Sequence, residues 1–166
     1  MPDPLERFRP TSETLARSVL DRLLDADPDL AADPRRTIGA QVEGLREALR
    51  RDIEILLNTR CRPDTPPDGL ADSLLGYGVD GFFATSLVTD EQSRRFARGI
   101  EARIRRFEPR LEAVSVSVLP ARVPAQRSLR LRIEAMHRLQ PGMPPISFET
   151  AVDPSTQRIR VEAAHG

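Results

Sequence analysis

The sequence predicts an α+β fold, with N-terminal helices packed on a C-terminal antiparallel meander of about four strands. Three observations predict it. Apolar residues recur at spacings of three and four as far as Phe107. Beyond Val114 the period changes to two. The links between the alternating segments are short and rich in Pro or Gly, which suits antiparallel neighbours.

Residues 1–11 are Pro-rich and read as a flexible arm; residues 12–166 read as a single α+β domain. Ser12 is an N-cap candidate for a helix striped by Leu15, Val19 and Leu23, and Asp27-Pro28 ends it. Asp33-Pro34 opens a second, long helix that runs to about Asn58. Its stripe is Ile38, Val42, Leu45, Leu49, Ile53 and Leu56. Glu47 with Arg51, and Arg50 with Glu54, are i,i+4 pairs worth ~0.2–0.5 kcal/mol each. Gly39 and Gly44 weaken the helix by ~1 kcal/mol each and mark possible breaks or close packing. Asn58 suits a helix C-terminus, and Arg60 suits the negative end of its dipole.

Residues 60–69 form a loop, and residues 71–84 a short helix with turns. Thr89 to Gln92 is a capping box. It opens a helix carrying Phe96, Ile100, Ile104 and Phe107. Pro109 stops that helix, because the residue before a proline is pushed toward extended geometry. Four alternating runs follow: Val114, Val116, Val118; Leu129, Leu131, Ile133, Ala135; Ile146, Phe148, Thr150, Val152; and Ile159, Val161.

Composition removes several function classes. Arg supplies all 25 basic residues and they balance 25 acidic ones, so no net charge drives binding to nucleic acid or anionic membrane. Arg103, Arg105, Arg106 and Arg110 cluster, but Glu101, Glu108 and Glu112 interrupt them and no aromatic interleaves for base stacking. One Cys excludes an intrachain disulfide and fits a reducing compartment. One Cys and two His make no standard zinc site. No apolar run nears the ~18 residues of a membrane span, and the charged start is no secretory signal, so the expected location is cytoplasmic. Gly76-x-Gly78 lacks the third glycine of a dinucleotide site. No cofactor is expected. His137, late in a strand, and His165, in the tail, read as bystanders.

Two groups of residues could carry contacts. Glu108 and Arg110 flank Pro109 at a helix-to-strand junction, with Pro109 suited to a strand's first position. A partner could receive the acceptors of Glu108 and the donor fork of Arg110, or the two could form an intrachain ion pair. Arg158 and Arg160 flank Ile159 on the last strand, whose edge is expected to be unpaired. They would discourage wrong edge pairing, or simply form a solvated face.

Four stretches resemble the TssE baseplate subunits of type VI secretion systems, a family similar to the lysozyme-like wedge protein of contractile-phage baseplates. They are residues 18–23, residues 51–60 ending Leu-Leu-Asn-Thr-Arg, residues 73–81 with Tyr77-Gly78-Val79-Asp80, and residues 100–118 centred on Phe107-Glu108-Pro109-Arg110-Leu111. Their order and spacing match, and the likeness covers roughly residues 12–162. The resemblance implies a structural role in the baseplate wedge. It implies that Glu108, Pro109 and Arg110 bind the wedge core bundle (TssF/TssG-like). It also implies that the strand end is a starting template for the contractile sheath (TssB/TssC-like), to which the expected open edge of the strand with Arg158 and Arg160 would offer pairing.

The rival is a lysozyme-like peptidoglycan glycosidase using Glu108. Such an enzyme needs a carboxyl that keeps its proton in an apolar pocket. A guanidinium two residues away works against that. The sequence also lacks a Gly-x-Ser-x-Gly elbow, a Walker loop and a His-Glu-x-x-His motif, so no enzyme is expected.

Overall fold

The computed structural model describes residues 38–61, 69–70, 73–79, 89–120, 129–137, 145–153, 156 and 158–164. The arm at 1–11, the helix expected from Ser12, the start at Asp33-Pro34 and His165 lie outside the described residues. The chain divides into two compact units, Met1–Ala48 and Leu49–Gly166.

The boundary between them falls inside helix α1, Ile38–Asn58. Leu45, Leu49, Ile53 and Leu56 are buried as the stripe demands, and Leu57 joins them. Gly39 and Gly44 sit in open space, and the helix runs through both. Arg50 and Glu54 pair as the spacing predicts. Beyond Asn58, Thr59 donates its N–H and its hydroxyl to the Ile55 carbonyl, closing the last turn.

Leu74–Gly76 forms a single 3-10 turn, capped by the Ser73 hydroxyl. Helix α2, Asp90–Phe107, opens on the expected capping box, with Thr89 and Gln92 each accepting from the other's backbone N–H. Asp90 and Glu91 in the first turn and Arg105 and Arg106 in the last suit the helix dipole. Ser93, Ala97, Ile100 and Ile104 are its buried face. Glu108 leaves helical geometry at φ −119°, as expected of a residue before proline.

Four strands follow in the meander order: β1, Leu111–Leu119; β2, Leu129–His137; β3, Ile146–Asp153; and β4, Arg158–Ala163. Every neighbouring pair is antiparallel. One sheet face is buried and, but for Thr150, apolar: Leu131, Ile133, Ala135, Ile146, Phe148, Thr150, Val152, Ile159 and Val161. Helix α2 packs on β1 and β2. On the other face Arg130 and Arg132 of β2 hold Glu149 of β3 at 2.6 and 2.9 Å.

β1 departs from simple alternation. Its register shifts between Glu112 and Ser115, with Ala113 at φ 50°. The bulge turns both Leu111 and Val114 inward, so the strand begins three residues before the alternating run. Pro109 is not the strand's first residue. It sits in a turn closed by the Leu111 N–H on the Glu108 carbonyl at 3.1 Å.

Candidate partner-binding site

The turn after α2 draws distant segments together. Glu108 is 6 % exposed, and its carboxylate accepts from three groups of Arg110: the backbone N–H at 3.3 Å, Nε at 2.6 Å, and Nη2. Arg110 Nη2 also donates to Asp52 Oδ2 at 2.6 Å, which pins the turn to α1. Arg51 holds the other oxygen of Asp52 at 3.2 Å. The pairing with Glu108 and Asp52 outweighs burial and raises Arg110 further above its ordinary range. The same guanidinium leaves Nη1 buried without a hydrogen-bond partner among the described residues.

Two more groups border this cluster. His137 pairs in register with Leu111 and is 4 % exposed, with neither ring nitrogen hydrogen-bonded among the described residues. Burial, then the charge of Arg110, pushes its imidazole below the ordinary range, and Glu108 opposes them. His137 thus borders the cluster as a buried group. Tyr77 packs edge-on against Phe107 at 5.3 Å. Burial raises its hydroxyl pKa, and the charges of Asp52 and Glu108 raise it further.

Tyr77 is held there by its neighbours. Val79 donates to the Thr59 carbonyl at 2.8 Å, and Cys61 donates back to the Val79 carbonyl at 3.1 Å. Arg103 of α2 donates to the Gly76 carbonyl at 2.8 Å. Gly78 adopts φ +104°, and a Cβ there would lie 2.4 Å from the Thr59 oxygen. Three of the four resemblance segments thus meet at one place, through Asp52, Tyr77 and the Glu108–Arg110 turn. The first, residues 18–23, lies outside the described residues.

The donors of Arg110 are directed inward, so the ion pair is internal. Pro109, at the tip of the turn, is exposed. Sequence reasoning missed Asp52, whose tie to Arg110 spans 58 residues, and the burial of His137. The only available sign was that Asp52 falls within one of the resembling segments.

Arg158 and Arg160 are both exposed, and no ion pair engages them among the described residues. Among the described residues no strand pairs with the outer side of β4, yet that side is not bare. Asn58 Oδ1 accepts from the Ile159 N–H at 3.0 Å, and Asn58 Nδ2 donates to the Ile159 carbonyl at 2.8 Å. Arg50 Nη1 donates to the Val161 carbonyl at 3.1 Å. β1, at the other margin, is treated similarly by α2. Arg105 donates to the Val114 carbonyl at 2.6 Å, and Glu101 accepts from the Val116 N–H at 3.0 Å.

Among the described residues no helix is long and apolar enough to cross a membrane, and no group of three or more His, Cys, Asp or Glu could hold a metal ion. A comparison with curated proteins found no match. Residues 43–142 match the family described as baseplate wedge protein gp25, and that span takes in Asp52, Tyr77, the Glu108–Arg110 turn and the first two strands. With the ion-paired turn inside a match that spans more than half of its length, the chain belongs to the baseplate wedge protein gp25 family.

Proposed function

We propose that the protein is a TssE-type subunit of a type VI secretion baseplate, acting in the cytoplasm at the docked baseplate. It joins the wedge core bundle (TssF/TssG-like) at the turn of Glu108, Pro109 and Arg110, and anchors the first sheath subunits (TssB/TssC-like) by strand-edge pairing at β4. The observation that carries this reading is the convergence of three family-like segments on one ion-paired turn with an exposed tip. Arg110 braces the turn from inside, and Pro109 presents it. Arg158 and Arg160 stand ready on the outer face of β4 for the sheath contact.

The glycosidase reading is disfavoured by the surroundings of Glu108. Both oxygens of Glu108 face Arg110, and the residue is almost wholly buried. The reading favoured here is a subunit that binds its neighbours, in keeping with a structural baseplate family. Co-purification tests the docking surface. Pro109→Glu is expected to leave thermal unfolding unchanged while removing recovery with the wedge subunits. Normal recovery of that variant would exclude the turn as the docking point.

A further inference from the structure

The Asn58 carboxamide touches β4 as a peptide group of a neighbouring strand would. It offers one acceptor and one donor to the N–H and the carbonyl of the same residue, Ile159. Hydrogen bonding alternates along an antiparallel strand, so Ile159, Val161 and Ala163 direct their backbone groups outward, away from β3. Arg50 occupies the next outward carbonyl, that of Val161. Arg50 is itself anchored by Glu54, and Asn58 also donates to the Glu54 carbonyl at 2.8 Å. Two side chains of α1 thereby occupy the place that a neighbouring strand would take.

We propose that Asn58 and Arg50 form a removable guard that keeps the β4 edge closed in the free protein. An extended segment of a neighbouring subunit displaces it. The proposal rests on the strand-pairing reading only for the identity of that segment. Displacement exchanges like for like, because an incoming peptide returns the same donor and acceptor to Ile159. The charge pattern specifies the newcomer further. Arg158 and Arg160 are exposed beside the guarded edge and unpaired among the described residues, with Glu162 following on the same face, so the segment carries carboxylates opposite the two arginines. Until it arrives, the guard suppresses pairing of the edge with a second copy of the chain.

The guard is tested first on the free, full-length chain by amide hydrogen exchange. Asn58→Leu removes donor and acceptor from an exposed position and is expected to speed exchange at Ile159 by about tenfold, the scale of one lost hydrogen bond. Asn58→Asp keeps the acceptor, so Ile159 should stay protected while the Ile159 carbonyl loses its donor. Unchanged exchange at Ile159 in Asn58→Leu would overturn the guard. The second arm adds purified TssB/TssC-like sheath subunits. Asn58→Leu is expected to bind them faster than the wild type by about tenfold, with slowed exchange at Val161 and Ala163. Ala163→Pro removes an outward N–H and is expected to weaken that binding. Arg158→Glu with Arg160→Glu is expected to do the same. Equal association of wild type and Asn58→Leu would overturn displacement as the route. Absence of sheath binding by every variant, with fast Ile159 exchange in Asn58→Leu, would instead remove the sheath reading and leave the guard standing.

Discussion

At Arg110 one side chain carries several duties. Its side chain is 15 % exposed and neutralises two carboxylates, those of Asp52 and Glu108. Breaking a largely buried pair strands the partner charge, at a cost of ~3–5 kcal/mol. Arg110→Ala is therefore expected to lower unfolding free energy by that amount in a denaturant titration, so lost wedge binding in this variant would report folding as well as docking. Asp52→Asn keeps an acceptor for Nη2 and is expected to cost less. His137 adds a pH dependence. Its folded pKa is depressed, first by burial and then by Arg110, so the unfolded chain takes up the proton first. Its contribution is complete above the unfolded value of about 6.5 and is lost as pH falls through the folded value. His137→Phe is expected to flatten the loss of stability below about pH 6.5, read as thermal midpoints across a pH series.

Among the elements, the strands and α2 were the most legible. Each strand buries one face, so period two survives in the sequence, and the capping box is local chemistry within four residues. The bulge in β1 was hidden, because Leu111 and Val114 are three apart and mimic helical spacing. The ion-paired turn was half legible: Glu108 and Arg110 are neighbours in sequence, but Asp52 and His137 reach them only through tertiary packing. The side-chain guard on β4 was illegible for the same reason, since Asn58 read only as a helix end. The crossing of Thr59–Cys61 with Val79 is the element most sensitive to one methyl group. Gly78→Ala places a side chain at positive φ, costing about 1–3 kcal/mol for the backbone alone, and drives Cβ into the Thr59 carbonyl. A fall in thermal midpoint and loss of the Tyr77–Phe107 contact in aromatic side-chain NMR check it.

Across the whole molecule, the sheet's two margins are guarded by side chains from two different helices, α1 on β4 and α2 on β1. Deleting residues 157–166 removes β4 and uncovers Phe148, Thr150 and Val152, which pair with it. The expected outcome is loss of cooperative unfolding in a circular dichroism melt, so point variants at the margin are the cleaner probe of sheath contact. A cooperative melt close to that of the full chain would show that β4 is dispensable to the fold.

The bond between Asn58 and Ile159 joins residues 101 positions apart. On the ribosome, α1 emerges long before its counterpart, and at ordinary elongation rates the wait is on the order of 5–20 seconds. Throughout synthesis the Asn58 carboxamide and the Arg50 guanidinium have no β4 to close on. Nascent chains are therefore vulnerable until translation is nearly complete, and slow codons late in the message would lengthen their exposure to chaperones and proteases.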